Sequence, residues 1–159
     1  GGIAQAVGLA ESFVGNDRFC VILGDNIFED SFKVYVNDFK EGSKYSHYLF
    51  LKKVDDPKRY GTAVFYDDEC TQLKRIDEKP KKPKSDYAVT GFYMYSPEVF
   101  SIIKTLKPSA RGELEITDVN NELIEDGKVL SHKLKGFWSD AGVFESYRVA
   151  NEFMWGKIK

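Results

Sequence analysis

The chain has 159 residues, of which 42% are hydrophobic and 30% charged, and its net charge at neutral pH is −2. This length and apolar content suffice for one domain with a hydrophobic core, whereas the balanced charge gives no basic face for a nucleic acid. Two cysteines are too few for a disulfide framework. No apolar run reaches the roughly 18 residues of a membrane span and no signal-peptide pattern opens the chain, so we expect a soluble cytoplasmic protein.

The first half of the chain alternates between helix and strand patterns. Apolar residues recur at helical spacing from Ile3 to Val14, which predicts an amphipathic helix. RFCVIL (18–23) is a short continuous apolar run, typical of a strand covered on both faces, and Cys20 within it is expected to be a buried thiol. A second helix pattern and the strand HYLFLKKV (47–54) follow. This alternation predicts a parallel α/β sheet.

The middle of the chain changes character. YGTAVFYDD (60–68) and TQLKRIDE (71–78) are two strand patterns joined by an acidic turn, which predicts a β-hairpin. KPKKPKSD (79–86) contains two prolines and four lysines and is predicted to be an exposed loop. The aromatic and β-branched residues of YAVTGFYMYS (87–96) predict another strand.

The last third returns to helices. One helix is predicted after the capping residue Ser96 and another over about 117–126. The strand VLSHKLKGF (129–137) and the closing helix GVFESYRVANEFMW (142–155) follow. Because no repeat and no linker interrupts the pattern, residues 1–159 are predicted to form a single α/β domain.

Two aspartates follow predicted strands. Asp25 comes directly after the apolar run VILG, and Asp140 in FWSDAG lies between a strand and a helix. Ligands of open α/β sheets bind at the carboxyl ends of strands, and two carboxylates meeting there would repel each other without a cation. Hard oxygen ligands suit Mg²⁺, which commonly combines one or two carboxylates with substrate phosphates. The alternative is that both aspartates cap helices, which is less natural for Asp25 because Ile27 and Phe28 intervene before the next helix.

Three further polar clusters lie at the ends of predicted elements, at 59–61 (Arg-Tyr-Gly), 78–80 (Glu-Lys-Pro) and 111–113 (Arg-Gly-Glu). Each is also compatible with an ordinary surface turn. His47 and His132 lie within strand patterns without a partner at catalytic spacing, so a structural role is expected for both. Spacing alone therefore indicates a phosphate-handling α/β enzyme.

Six stretches of the chain, taken in order, carry a family resemblance. GGIAQA, LGDNIF, DDPKRYG, DEKPKKPKSDYAVTGFY, LKPSARGELEITDVN and WSDAG resemble the sugar-nucleotide pyrophosphorylases, and closely the glucose-1-phosphate thymidylyltransferases. The resemblance implies a mostly parallel, Rossmann-like sheet flanked by helices, with a small β-hairpin insertion. It also implies a Mg²⁺-dependent reaction in which glucose 1-phosphate and dTTP give dTDP-glucose and pyrophosphate.

The resemblance implies a role for each matching residue. Asp25 and Asp140 would hold Mg²⁺. Lys79 and Arg111 would act as catalytic cations on the phosphates, Lys79 as a point charge and Arg111 through its planar fork. Gly2 would lie against the nucleoside base, where a side chain would collide. The sugar pocket would be lined by Tyr60, Gly61, Glu78, Val89 and Tyr93.

The sequence also departs from the family pattern. The first strand and the G-x-G-T-R loop that wraps the triphosphate are not in this sequence, and neither is the chain that follows the last helix in the family's short forms. We therefore expect a fragment, truncated at the N-terminus and at the C-terminus, that is inactive alone. An unpaired sheet edge and uncovered apolar helix faces should accompany the truncation. The full-length parent is implied to be a homo-oligomer.

Three alternatives stay open at this point. The first is a relative that uses UTP, CTP or ATP, because the family recognises the base largely through the segment that is not in this sequence. The run RGELEITD nevertheless favours the thymidylyl type. The second is a non-catalytic sugar-phosphate-binding module on the same fold, against which the two retained carboxylates count. The third is a plain α/β domain whose strand-end acids are helix caps.

Overall fold

The computed structural model describes residues 1–158, which contain six α-helices and eight β-strands. The helices are α1 (Ile3–Gly8), α2 (Glu11–Val14), α3 (Lys33–Glu41), α4 (Val99–Thr105), α5 (Ile116–Glu125) and α6 (Phe144–Ile158). The strands are β1 (Phe19–Ile22), β2 (Asn26–Phe28), β3 (His47–Lys53), β4 (Gly61–Phe65), β5 (Leu73–Glu78), β6 (Tyr87–Tyr95), β7 (Val129–Lys133) and β8 (Trp138–Asp140). A short 3-10 turn, Pro57–Arg59, precedes β4.

The larger sheet is built around β6, its longest strand. β6 pairs with β3 along one edge and with β4 and β1 along the other, and β7 and β5 extend the sheet outward in the order β5-β4-β6-β3-β7. The first five residues of β3 and the last six of β6 are buried, as expected for two central strands covered on both faces. β2 and β8 form a separate two-stranded sheet.

The α/β class, the flanking helices and the β4–β5 hairpin are confirmed, but the prediction of a mostly parallel sheet is wrong. Only the β3–β7 pair is parallel, whereas β1–β6, β3–β6, β4–β5 and β4–β6 are antiparallel. β6 follows the hairpin through the loop at 79–86 instead of a crossover helix, so it can return against its neighbours. The helix–strand alternation behind the prediction holds only in the first half of the chain.

The core lies on both sides of the larger sheet. On one side, α1, α4 and α5 contribute the buried residues Val7, Val119 and Leu123 among others. On the other side, α3 packs Phe39 in the same cluster as Phe50 of β3. The helical stripes predicted from the sequence therefore face the sheet, and this three-layer arrangement holds the carboxyl ends of the strands in fixed positions.

β1 is covered on only one of its faces. Phe19 and Val21 pack against the core, but Cys20 is exposed and Ile22 is 58% exposed. The strand prediction is confirmed, whereas the predicted burial of Cys20 is wrong because successive side chains of a strand point to opposite faces.

Other large apolar side chains are also exposed, at the start of the chain and along the last helix. Leu9 and Phe13 are 80% and 93% exposed near α2, and Phe144 and Trp155 of α6 are 81% and 65% exposed. Apolar surface is therefore exposed on α2 and on α6. Within residues 1–158, no helix combines the length and the apolar character needed to span a membrane.

His47 is completely buried at the start of β3. Its Nε2 lies 2.8 Å from Oε1 of Glu98, so this nitrogen donates to the carboxylate, while Nδ1 has no partner among the described residues. Burial lowers the pKa of His47 to about 4, against the raising effect of Glu98 and with the help of the nearby Lys128 and Arg18. The environment of His47 is thus structural, as predicted.

The depressed pKa of His47 makes part of the protein's stability depend on pH. In the unfolded chain His47 takes up a proton near pH 6.5, but in the folded protein it does so only near pH 4, so stability should fall as the pH falls through this window. We expect His47→Phe to reduce the slope of the unfolding free energy between pH 6.5 and pH 4 by up to about 1.4 kcal/mol per pH unit. Urea unfolding at several pH values measures this slope, and an unchanged slope would contradict the assignment.

Candidate active site

One cavity of about 650 Å³ brings together all ten residues that the resemblance singled out. It is bordered by the N-terminus of α1, the turn after β1, the open end of the β4–β5 hairpin, the middle of β6, the segment before α5, and β8. Its lining includes Gly2, Asp25, Tyr60, Gly61, Glu78, Lys79, Val89, Tyr93, Arg111 and Asp140. A second cavity, of about 740 Å³, lies between β5, α5 and β7 and contains none of the ten. Residues far apart in the sequence therefore converge on one site.

The ribbon formed by β2 and β8 brings the two aspartates to the same edge of this cavity. Asn26 pairs with Asp140 across the ribbon, and Asp25 immediately precedes Asn26. A side chain at Gly142 would place its Cβ 3.2 Å from Oδ2 of Asp25 and 3.2 Å from the backbone oxygen of Asp140, so the two segments are in close contact. α3 begins only at residue 33 and α6 only at residue 144, so neither aspartate caps a helix. The interpretation of the two acids as caps is therefore wrong.

The side chain of Asn26 holds this edge together. Its Nδ2 donates a 2.8 Å hydrogen bond to Oδ1 of Asp25, and its Oδ1 accepts 2.8 Å hydrogen bonds from the backbone N–H of Gly91 and from Nε1 of Trp138. Asn26 therefore connects one acid to both β6 and β8.

Asp140 lies beside two residues of the Arg59-Tyr60 cluster. The hydroxyl of Tyr60 donates to Oδ1 of Asp140 at 3.3 Å, and Nη2 of Arg59 is 3.9 Å from Oδ2. Burial and the negative charge of Asp140 raise the pKa of Tyr60, so its hydroxyl stays protonated and continues to donate. No described histidine, cysteine or acid joins Asp25 and Asp140 to make a cluster of three. The pair therefore fits an ion that takes its remaining ligands from water and substrate phosphates, as Mg²⁺ commonly does.

Besides Arg59, two further cations line the cavity, Lys79 and Arg111. Lys79 follows β5 with a φ of +42°, and its backbone N–H donates to the carbonyl of Tyr60 at 3.1 Å. Arg111 is held by carboxylates: Nη2 donates to both oxygens of Glu115 at 3.0 and 2.9 Å and lies 3.4 Å from Oε1 of Glu78. Both positive side chains therefore border the cavity with acids close by.

Glu78 presents its carboxylate next to the buried wall of the cavity. Thr117 donates a 2.6 Å hydrogen bond to Oε2 of Glu78, and Gly61 lies opposite Glu78 in the β4–β5 register. A Cβ at Gly61 would lie 3.4 Å from that oxygen, so the glycine keeps the space beside the carboxylate open. Tyr93 is buried nearby, where burial and the charges of Glu78 and Asp25 raise its pKa. This side of the cavity combines an apolar wall with one carboxylate that can accept hydrogen bonds.

Gly2 has a structural reason to be glycine. Its φ is +100°, and a Cβ there would lie 2.5 Å from the carbonyl oxygen of Leu114. The predicted contact between Gly2 and a base stays a prediction, because the fold alone already requires glycine at this position.

Several residues of the site were not assigned a role from the sequence. Arg59 belongs to the polar cluster at 59–61 that the sequence did single out, and Asn26 follows Asp25 in LGDNIF, but neither was assigned a role. Five more residues lie within the quoted stretches but were given no role, because their contacts in the site appear only in the structure; they are Gly91, Glu115, Thr117, Trp138 and Gly142.

The chain is similar to known proteins over almost its whole length. A family model described as nucleotidyl transferase matches residues 1–156. The chain is 42% identical over 157 residues to a glucose-1-phosphate thymidylyltransferase of Neisseria meningitidis serogroup A, covering 96% of this chain and 53% of the relative. It is 39% identical over 154 residues to the low-salt glycan biosynthesis nucleotidyltransferase Agl11 of Haloferax volcanii, covering 96% of this chain and 42% of that protein.

A solved structure shows the same similarity in three dimensions. A Bacillus anthracis protein described as a glucose-1-phosphate thymidylyltransferase, crystallised with sucrose, superposes with a TM-score of 0.88 and 52% identity. The match covers 96% of this chain and 61% of that one. The chain spans about half the length of the curated relatives it matches.

Proposed function

The chain belongs to the nucleotidyl transferase family, and we propose that the protein transfers a nucleotide from dTTP to glucose 1-phosphate, which gives dTDP-glucose and pyrophosphate. The observation that supports this most is that one cavity is lined by Asp25 and Asp140, by Glu78, and by three cationic side chains, which are Arg59, Lys79 and Arg111. The choice of glucose 1-phosphate and dTTP is supported by the names of the 42% and 52% identical relatives.

The reaction needs a nucleophile and a leaving group aligned on one phosphorus atom. An oxygen of the sugar phosphate forms a bond to the α-phosphorus of dTTP, the bond from that phosphorus to the bridging oxygen breaks, and the electron pair leaves with pyrophosphate. Asp25 and Asp140 would hold Mg²⁺, which would neutralise the phosphate oxygens when bound. The protein's own contribution is mostly positioning and charge.

Lys79 and Arg111 would supply the positive charge on the protein side. Arg111 must then exchange a carboxylate of Glu115 or Glu78 for a phosphate oxygen when substrate binds. Burial of Glu115 favours its neutral form, but the hydrogen bonds from Arg111 and Ser109 outweigh burial and lower its pKa. Glu115 therefore stays ionised and keeps Arg111 oriented towards the cavity until a phosphate competes for it.

Glu78 would accept hydrogen bonds from sugar hydroxyls on the lone pairs that Thr117 leaves free. Thr117→Val removes the 2.6 Å hydrogen bond that orients this carboxylate. Since a hydrogen bond to a charged group contributes about 1.5–3 kcal/mol, we expect the Kd for glucose 1-phosphate to rise about tenfold or more. Calorimetric titration measures the Kd. The matched control is Thr105→Val, whose hydroxyl bonds only to the backbone at the exposed end of α4; equal affinities in the two variants would contradict the role of Thr117.

The reaction is tested with the protein expressed from its complete gene, glucose 1-phosphate, Mg²⁺ and, in separate assays, dTTP, UTP, CTP or ATP. We expect release of pyrophosphate to be fastest with dTTP. Faster release with another triphosphate would correct the nucleotide, and sugar-phosphate binding without any release would support a binding module instead. The homo-oligomer that the resemblance implies and the cytoplasmic location expected from the sequence stay predictions.

A further inference from the structure

We propose that Asn26 is a positioning residue that fixes the orientation of both metal-binding carboxylates. The inference rests on the proposed function, in which Asp25 and Asp140 hold one divalent ion. It goes further because it assigns the geometry of that pair to one uncharged side chain, which makes three hydrogen bonds in three directions.

The oxygen end of the Asn26 amide is fixed by two donors. The backbone N–H of Gly91 and the indole Nε1 of Trp138 can only donate, so the atom that both contact at 2.8 Å must be Oδ1. A side chain at Gly91 would place its Cβ 2.6–2.8 Å from the Asn26 amide, so the glycine is what lets the amide lie against β6. The backbone carbonyl of Gly91 also accepts a 2.8 Å hydrogen bond from Leu23, which anchors the turn just before Asp25.

With the oxygen end fixed, the nitrogen end can point in only one direction. Nδ2 donates to Oδ1 of Asp25 at 2.8 Å, and this is the only side-chain hydrogen bond that Asp25 makes within residues 1–158. Asp25 is exposed at the cavity edge, so without Asn26 its carboxylate could rotate freely. Oδ2 stays available on the side that faces Gly142, next to the backbone of Asp140.

Asn26 is also linked to Asp140. The backbone of Asn26 pairs with that of Asp140 across the ribbon, so the residue that orients the Asp25 carboxylate lies directly opposite Asp140. The side-chain contacts close a ring: Trp138 donates to Asn26, the ring of Trp138 lies 5.2 Å from the ring of Tyr60, and Tyr60 donates to Asp140. Partners that orient metal ligands in this way typically change metal affinity by about 10- to 100-fold when they are removed.

Binding of Mn²⁺, followed by electron paramagnetic resonance, tests this without any turnover. We expect Asn26→Ala to weaken Mn²⁺ binding by about 10- to 100-fold. The matched control is Asn121→Ala, because Asn121 also holds a strand through its amide, with hydrogen bonds of 2.7 and 2.9 Å to the backbone of Ile76, but it does not line the active-site cavity. Asn121→Ala should lower the unfolding temperature and leave Mn²⁺ affinity unchanged. Equal Mn²⁺ affinities in native protein and Asn26→Ala would overturn the proposal.

Asn26→Asp tests whether Mn²⁺ binding depends on the orientation of the Asp25 carboxylate or only on the negative charge of the site. It also provides a second test if Asn26→Ala does not fold. Aspartate can still accept from Gly91 and Trp138, but it replaces the donor to Asp25 with a second carboxylate oxygen. We expect weaker Mn²⁺ binding although the site gains a negative charge, whereas tighter binding would overturn the proposal. Asp25→Asn tests the metal site itself. If Asp25→Asn binds Mn²⁺ as tightly as the native protein does, the proposed function is wrong. If Asp25→Asn loses Mn²⁺ but the two Asn26 variants do not, the role of Asn26 is wrong.

Discussion

Replacing Asp140 with asparagine should lower kcat/KM for pyrophosphate release by about two to three orders of magnitude, with the fold intact. Asparagine has the same shape and its side-chain oxygen can still accept from Tyr60, so the ribbon of β2 and β8 is preserved. What is lost is the negative charge that would hold a divalent ion over the phosphates. Asp25→Asn should behave in the same way. The measurement is a steady-state assay of pyrophosphate release over a range of Mg²⁺ concentrations, with the protein expressed from its complete gene.

The matched control for this pair is Asp86→Asn. Asp86 is an aspartate at the end of the lysine-rich loop, where its carboxylate is 4.0 Å from Lys53, both side chains are largely exposed, and neither lines the active-site cavity. An exposed pair of this kind contributes little to stability, so Asp86→Asn should have native kinetics. A native rate in Asp140→Asn would show that the acids at this edge are not metal ligands.

Replacing Lys79 with glycine should make the protein more stable and much less active. Lys79 has a φ of +42°, in the left-handed region that costs a residue other than glycine roughly 1–2 kcal/mol. Glycine adopts this conformation freely, although its greater freedom in the unfolded chain offsets part of the gain, so we expect about 0.5–1 kcal/mol of added stability. The same change removes the charge that would contact the sugar phosphate, and we expect kcat/KM to fall by about two orders of magnitude.

Cys70→Gly is the control for strain, because Cys70 has a φ of +57° in the β4–β5 turn and does not line the active-site cavity. It should raise the unfolding free energy, measured by urea unfolding, without changing kcat/KM. Lys81→Gly is the control for charge, since Lys81 lies in the same loop but outside the cavity lining. Lys79→Gly could keep the native kcat/KM, or its kcat/KM could fall no further than that of Lys81→Gly. Either result would show that the strained backbone at Lys79 has no role in catalysis.

The longer elements of the fold could be predicted because each has a local signature. The β4–β5 hairpin followed from two strand patterns around an acidic turn, and α5 followed from the buried spacing of Ile116, Val119 and Leu123. The end of α3 was marked by Gly42, which is in the left-handed conformation that such a position favours. In each case the deciding interaction lies within one element or between neighbours along the chain.

The ribbon of β2 and β8 could not be predicted in the same way. Each strand has only three residues, which is too short for a hydrophobic period to show. The Asn26 amide joins this ribbon to a distant strand, where it accepts a hydrogen bond from the backbone N–H of Gly91. Sequence placed both aspartates at strand ends, but only the tertiary structure shows that two separate short strands bring them side by side.

The direction of β6 and the exposure of Cys20 could not be predicted from the sequence, and the reason is the same for both. Both depend on which segments lie next to a strand in space, and composition does not carry this information. β6 has the same aromatic and β-branched composition whether its neighbours are parallel or antiparallel. The apolar run around Cys20 was interpreted as fully covered, whereas β1 has a single partner strand within the described residues and one open face.

The most direct test of a shared ion is a crystal structure of the protein with Mn²⁺ and glucose 1-phosphate, with the metal located from its anomalous scattering. We expect one anomalous peak at about 2.1 Å from a carboxylate oxygen of Asp25 and from one of Asp140. Native protein should show this peak, and it should be lost in Asp140→Asn. A peak coordinated by only one of the two aspartates, or by neither, would contradict a metal site built from this pair.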